Sequence, residues 1–498
     1  MVTISRRKGT AIPSVALPIK IERGKIRHFA DSIRSAILQG KLCPGEKLPS
    51  SRAAADFYGL SRTTVRVVYD ELIQEGYLIA VRGSGTSVSA ELPDAFATNH
   101  LHKHKKASSP DILHQTSQRG LLMQSIGVTA ARNFFELRPF RAWLPSFKDF
   151  PLALWGRISR REWTHATERS LKYGGPQGLR RLREAIRSHI ARERGISCTA
   201  EQIVIVAGSQ EALFLSALVL GDPGGRVAVE NPGYLGAKGA FLAAGLQSVP
   251  IAVDGEGLVF KELAKKKDIR LIFLTPSHQY PTGVTLSLSR RIELLRWAKE
   301  NKAYLLEDDY DSDFRYTPRA IPALHALDTH ERVIYIGSFS KALIPSIRLG
   351  YLVLPPGLVE PFLRARALID RGSPSLEQAT LATFIEEGHF DSHLRKMRKL
   401  YHQRQEILLD SLQKFGGSYL EVNPSSIGMH IVGTLCRDLE ANKVAALGKE
   451  AGLELTPLSD FSMGGPCGNG IMLGYTALSP AAIREGARVL GRVLKNAS

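Results

Sequence analysis

The stretch Gly337–Pro355, GSFSKALIPSIRLGYLVLP, carries Lys341 and Arg348 between two apolar runs, Val333–Ile336 and Leu349–Leu354. Runs this short and continuously apolar read as strands buried on both faces, as in a largely parallel sheet covered by helices. Four more runs share the character: Ile203–Ala207, Val227–Glu230, Leu271–Leu274 and Tyr304–Glu307, alternating with helical stretches beyond Phe134. Polar clusters follow five of the six: Gly208-Ser209-Gln210, Asn231-Pro232-Gly233-Tyr234, Pro276-Ser277-His278-Gln279, Asp308-Asp309-Tyr310 and Ser338-Phe339-Ser340-Lys341. Ligands of open α/β sheets bind outside the carboxyl ends of the strands. The clusters therefore predict an α/β fold with a buried site along one sheet edge.

The residue types at that edge suit one chemistry. A lysine in a partly dry, cation-flanked pocket loses its proton readily and can form a Schiff base with an aldehyde cofactor, which is the role open to Lys341. The helix after Gly208-Ser209-Gln210 starts at a strand end, where its free N–H groups suit a phosphate, and Arg348 can add a fixed charge. Asp308 follows a buried strand, where a carboxylate suits a protonated pyridine nitrogen. Tyr310 can bond a phenolic oxygen, and Tyr234 offers a flat ring to lie on the cofactor. Each residue alone has a plainer role as surface charge, cap or packing ring. Their order along one edge argues for a shared site.

The N-terminal fifth reads differently. Helical periodicity opens at Ile26 (Ile26, Phe29, Ile33, Ile37, Leu38) and stops near Gly40, followed by a Pro44-Gly45 turn. Two short helices, Ser51–Tyr58 and Arg62–Glu75, flank Gly59-Leu60-Ser61. Two short strands, Tyr77–Val81 and Thr86–Val88, then surround Gly83-Ser84-Gly85. Helix, turn, helix and hairpin make a winged helix-turn-helix. In the second of the short helices Ser61 can cap the start and Val65, Val68, Tyr69 and Leu72 form an inner face. Arg62 and Arg66, four apart, point outward, as a major-groove helix requires. Arg52 starts the helix before it, and Arg82 and Gly83 sit at the wing. Met1–Lys106 holds 17 Lys or Arg against 9 Asp or Glu, or 17 − 9 = +8 of the chain's +18. Such a balance attracts phosphate polyanions.

At 498 residues the chain is long enough for two to four domains. From about Ala90 to Thr129 the pattern dissolves into a flexible, basic linker; its HLHKHKK (His100–Lys106) has metal-binding composition but reads as a solvated segment. Cys43, Cys198, Cys436 and Cys467 stand far apart without a CxxC pair, so neither disulfides nor a metal site is expected. No run approaches the roughly 18 apolar residues of a membrane span, and no signal peptide is read. A cytoplasmic location is expected.

Two family resemblances sharpen this. GEKLPSSRAAA (Gly45–Ala55), LSRTTVRVVYDELIQEGYL (Leu60–Leu78) and RGSGTSV (Arg82–Val88) resemble the GntR-type winged helix. The resemblance implies operator contacts by Arg52, Ser61, Arg62, Thr63, Arg66 and wing Gly83 on double-stranded DNA. YGGPQGLRRLREAI (Tyr173–Ile186), EDDYDSDFRY (Glu307–Tyr316) and the Lys341 segment resemble fold-type-I aminotransferases from about Tyr173 to Tyr475. That resemblance implies pyridoxal phosphate. Lys341 would be the Schiff-base residue and Asp308 the pyridine partner. Ser209 and Arg348 would hold the phosphate, with Tyr173 reaching it from the other subunit of a homodimer. Gln210, Tyr234, Tyr280, Tyr310, Ser338 and Ser340 complete the cofactor set. TPSHQYPTG (Thr275–Gly283) and GSFSKALIPSIRLGYLVLP look most like the MocR subgroup, which fuses a GntR-type head to this domain. The expected organisation is a head at 18–90, a linker at 91–133 and an aminotransferase-like domain at 134–498. The last divides into a large part at about 175–385 and a small part at about 386–498.

Two departures matter. Tyr280 stands where transaminases have an asparagine that bonds the cofactor's phenolic oxygen. Gly468–Tyr475 (GNGIMLGY) lacks the arginine that grips a substrate carboxylate, Gly470 or Ile471 taking its place. A buried carboxylate without a charged partner is costly. The favoured reading is therefore a regulator that senses pyridoxal phosphate, or an amine or amino acid, rather than a transaminase. A working aminotransferase with an accessory head, and a DNA-binding module with an inert second domain, stay open at this point.

Overall fold

The computed structural model describes residues 25–38, 40–81, 85–90, 116–125, 138–317, 322–436, 438–465 and 467–498. The chain forms two compact units, Met1–Gln115 and Thr116–Ser498.

The first unit is a three-helix head with a hairpin. Helices α1 (Lys25–Leu38), α2 (Ser51–Tyr58) and α3 (Arg62–Gln74) precede strands β1 (Leu78–Val81) and β2 (Gly85–Val88). Ser50 caps α2 by accepting the Ala53 N–H, and α2 ends at Gly59 with φ 63°. Ser61 caps α3 by accepting the Thr64 N–H at 3.0 Å. The inner face of α3 is the expected one: Val65, Val68, Tyr69 and Leu72 are buried against Phe29, Ile33 and Ile37 of α1. Arg34 grips Glu75 at 2.7 Å and pins the end of α3 to α1. β1 and β2 pair antiparallel from Leu78↔Val88 to Val81↔Gly85. The wing tip, Arg82–Ser84 with Gly83, lies outside the described residues.

In the second unit an eight-stranded sheet has the order β3-β10-β9-β8-β7-β4-β5-β6. Its strands are β3 (Ile203–Val206), β4 (Arg226–Asn231), β5 (Gln247–Asp254), β6 (Gly257–Leu258), β7 (Ile269–Leu274), β8 (Tyr304–Asp309), β9 (Val333–Ser338) and β10 (Gly350–Val353). β9, β8, β7, β4 and β5 run parallel. β10 runs against both its neighbours, β9 and β3. A parallel neighbour needs a crossover of a dozen or more residues, usually a helix. Phe339–Leu349 is too short for that and folds straight back. The start of β10 thus lies at the same edge as the carboxyl ends of the parallel strands.

A second sheet, β11 (Leu420–Val422), β12 (His430–Leu435), β14 (Gly470–Gly474) and β13 (Thr456–Pro457) in that order, is antiparallel throughout. The helices His389–Gly416 and Pro480–Ala497 cover it through Leu408, Leu412, Leu490 and Leu494. Part of the stretch read as linker is ordered: Gln118–Ser125 is a helix that clusters with the second unit, while 91–115 lies outside the described residues. No helix among the described residues is long and apolar enough to cross a membrane.

Candidate functional site

β8 ends in three successive acids, Glu307, Asp308 and Asp309, all buried, and the fold treats them differently. Glu307 accepts the backbone N–H groups of Leu324 and His325 at 2.7 and 2.8 Å. Asp309 is held by the Arg194 guanidinium at 2.6 Å and by the Tyr335 hydroxyl at 2.6 Å. Among the described residues Asp308 has only the Ser209 hydroxyl as a hydrogen-bond partner, at 3.4 Å. Burial, with the charge of Asp309 beside it, pushes the Asp308 carboxyl up to about 7. A buried carboxylate with one weak hydroxyl partner is the group that fits an incoming cation.

Lys341 lies one strand over, in a short helix whose start Ser338 caps by accepting the Ser340 N–H at 3.2 Å. Its Nζ donates to the carbonyl of Trp143 at 2.9 Å. Desolvation lowers the amine to about 8, against the pull of Asp311 and Asp308. Trp143 adopts φ 58°, which is strained for a bulky residue, and that conformation belongs to the carbonyl touching the lysine.

Arg348, at φ 52°, precedes β10 and faces the start of the helix Ser209–Leu220. A Cβ on Gly208, itself at φ 108°, would fall 3.9 Å from its Nη1. A helix N-terminus beside a guanidinium suits an anion. The Tyr234 hydroxyl donates to Gln210 Oε1 at 3.3 Å, and Gln210 Nε2 donates to the Gly236 carbonyl at 2.9 Å. Tyr280 stands edge-on to both Tyr234 and Tyr310, with ring centres 5.7 Å from each. Ser209, Tyr234, Tyr280, Tyr310, Ser338, Ser340 and Lys341 are all half-buried, so the cluster is not sealed within the core.

Tyr173 is not brought into this cluster by its own chain. It is 89% exposed, with the Arg371 guanidinium 5.9 Å from its ring centre. Gly470 and Ile471 lie in buried β14, and the next residue, Met472, joins Ala142, Phe461, Trp143 and Tyr280 in an apolar cluster. Residue types alone left Arg194, Trp143, Asp311 and His430 unassigned. His278 and Asp311 stand inside the quoted motifs, whereas His430 and Trp143 reach the site only through the tertiary fold.

On the head, Arg52, Ser61, Arg62, Thr63 and Arg66 are exposed. None of these three arginines pairs with a carboxylate among the described residues, and Arg62, Thr63 and Arg66 are exposed on α3, whose buried residues are Val65, Val68, Tyr69 and Leu72.

Comparison with known proteins bears on both units. Residues 25–88 match the bacterial regulatory proteins of the gntR family, and residues 133–489 match aminotransferase class I and II. The probable rhizopine catabolism regulatory protein MocR of Rhizobium meliloti is 35% identical over 93% of this chain and 92% of its own length. This chain belongs to the MocR subfamily of GntR-type transcriptional regulators. The pyridoxine biosynthesis regulator PdxR of Corynebacterium glutamicum is 33% identical over 90% of this chain and 91% of its own. Among solved structures, the multiple substrate aminotransferase of Thermococcus profundus covers 76% of this MocR-type chain and 97% of its own, with TM-score 0.69 and 27% identity. The α-aminoadipate aminotransferase LysN of Thermus thermophilus, solved with N-(5'-phosphopyridoxyl)-L-leucine, is 28% identical over 72% of this chain and 92% of its own, with TM-score 0.67. The protein is thus a DNA-binding regulator with an aminotransferase-like domain of a pyridoxal-phosphate-dependent fold.

Proposed function

We propose that the second unit holds pyridoxal phosphate at the β8–β9 edge, and that this binding sets the DNA-binding state of a cytoplasmic homodimer. One observation carries the reading. The under-partnered buried carboxylate of Asp308 lies within electrostatic reach of Lys341, whose amine is lowered to about 8. Lys341 is the residue that would hold the cofactor covalently, and the cofactor would supply an aldehyde able to take up an amine. Asp308 pairs with the pyridine nitrogen. Arg348, Ser209, Ser338, Ser340 and the amides at the start of the Ser209 helix take the phosphate, with Gln210 beside them. Tyr234 would lie against the ring, and Tyr310 and Tyr280 would serve its phenolic oxygen. Exposed Leu171, Tyr173, Leu368 and Ile369 form the apolar ground on which a second copy is expected to sit, each copy offering Tyr173 to its partner.

The ligand that changes DNA binding is the cofactor itself or an amine joined to it. A carboxylate ligand is disfavoured, because Gly468–Tyr475 supplies no arginine and no cation follows Tyr234 in Leu235-Gly236-Ala237. Transamination is disfavoured for the same reason. A hundredfold change in DNA affinity requires about 2.7 kcal/mol of coupling between the sites. The test is operator binding by the full-length protein, with and without pyridoxal phosphate and with a panel of amines, alongside turnover of amino-acid and keto-acid pairs. Affinity or footprint should change on adding the cofactor or the amine, with no turnover. Constant DNA binding under every addition, or steady turnover, would overturn the reading.

A further inference from the structure

Two buried side chains beside Tyr310 take no part in holding the cofactor: His278 and Asp311, each 1% exposed. His278 Nδ1 lies 2.9 and 3.2 Å from the two Asp311 oxygens and 3.0 Å from the Tyr310 hydroxyl. One ring nitrogen thus serves both partners. Asp311 as a carboxylate is acceptor-only, so the proton belongs on Nδ1. The opposite nitrogen, Nε2, is buried with no hydrogen-bond partner among the described residues. That suits a bare lone pair far better than a buried N–H. The backbone is moulded round this ring. A Cβ on Gly428 would collide with it and come within 2.8 Å of Asp311 Oδ2, and a Cβ on Gly283 would press to 3.2 Å from Nε2. Both glycines have positive φ, 97° and 78°.

The consequence falls on Tyr310. Its oxygen accepts from Nδ1–H, so its own hydrogen must be donated elsewhere, and a phenol polarised in this way is a better donor. We propose that Asp311 and His278 are a positioning pair that holds Tyr310 as a one-way hydrogen-bond donor toward the cofactor's phenolic oxygen, compensating for the asparagine that Tyr280 replaces. This rests on the cofactor reading above. Tyr310 is faced by Asp311, Asp308, Glu230, Tyr280 and His278, and Lys341 by Asp311 and Asp308. His430, across from His278 with ring centres 5.0 Å apart, bonds the Pro281 carbonyl at 3.0 Å, and burial lowers it to about 4, so it adds no charge.

The experiment is a pH titration of the visible band of full-length protein loaded with pyridoxal phosphate. A donor on the phenolic oxygen favours loss of the proton shared between the Lys341 nitrogen and the cofactor, so removing it raises the midpoint. Tyr310→Phe should raise it by about one pH unit, the worth of one hydrogen bond to a charged group. Asp311→Asn is nearly isosteric, and its amide oxygen still accepts from Nδ1–H, but as a neutral acceptor it orients that hydrogen less firmly than the carboxylate. Tyr310 is then held and polarised less strongly as a donor to the cofactor. The midpoint should rise part of the way toward that of Tyr310→Phe, and the double variant should go no further than Tyr310→Phe alone. His278→Phe should behave alike; if it does not fold, Asp311→Asn carries the test alone. An Asp311→Asn midpoint equal to that of wild type, or additive with Tyr310→Phe, overturns the proposal, as does a Tyr310→Phe protein that titrates like wild type. Absence of a visible band in every protein, wild type included, would instead remove the cofactor reading beneath it.

Discussion

Replacing Asp308 by asparagine should stabilise the cofactor-free protein, and only at higher pH. Raising a carboxyl from its usual 3.8 to about 7 corresponds to about 4 kcal/mol of preference for the protonated form, a ceiling because the neighbouring Asp309 shares the field. Below pH 3.8 both folded and unfolded chains hold the proton and nothing is lost. Between 3.8 and 7 the unfolded chain releases it while the folded chain keeps it, so this group removes about 1.4 kcal/mol of stability per pH unit. Above 7 the loss is constant. Asparagine escapes it, and from pH 5 to pH 8 its advantage over aspartate should widen by about 3 kcal/mol. Glu230 and Glu307, also pushed by burial to about 7, titrate in both proteins and cancel in the difference. Urea denaturation of apo wild type and Asp308→Asn at the two pH values reads this directly. With cofactor present the order should reverse, because the variant loses the charge-assisted bond to the pyridine nitrogen and holds pyridoxal phosphate about tenfold to a hundredfold more weakly. A variant whose advantage is the same at pH 5 and pH 8 would refute the argument, since Asp308 would then be an ordinary, satisfied carboxylate.

Lys341→Ala should abolish the visible band that borohydride traps in the wild type; an unchanged spectrum would move the covalent site elsewhere. Arg62→Ala should weaken DNA binding and, where Arg62 meets a phosphate, lower the salt slope by about one without altering sequence preference. Equal slopes and affinities for wild type, Arg62→Ala and Arg66→Ala would show that this face of α3 is not the DNA surface. Arg194→Met should cost about 3–5 kcal/mol by stranding the buried Asp309 carboxylate, seen as a lowered denaturation midpoint of the full-length protein.

The legible parts of the chain were those where local chemistry and burial agree. α2 and α3 were readable within a residue because Gly59 and Ser61 mark the break between them and the inner face of α3 repeats at helical spacing. The apolar runs marked most strands of the large sheet, and Lys341, Asp308 and Arg348 followed from their ends. The direction of β10 was hidden, because a strand buried on both faces is apolar whichever way it runs. β5 was missed because QSVPIAVD is only partly buried and contains Pro250, which weakens the pattern of a strand. The histidine–aspartate pair was invisible for another reason. Thr275–Gly283 and Glu307–Tyr316 were each quoted as motifs, but nothing in either says that His278 and Asp311 meet over one ring nitrogen.

The chain leaves the sheet from β9 at Ser338 and returns in β10 at Gly350 in the opposite sense. Lys341 and Arg348 therefore stand on the two arms of a single reversal. A molecule that bonds covalently to one arm and by charge to the other becomes a rung across the loop. With the rung in place, the lysine arm cannot shift without dragging the phosphate arm, and the reversal moves as one stiff piece. Without it, each arm answers only to its own turn: Lys341 to the Trp143 carbonyl, and Arg348 to a left-handed backbone. A cofactor held as proposed would convert its occupancy into the stiffness of this one reversal, with no strand or helix having to change place.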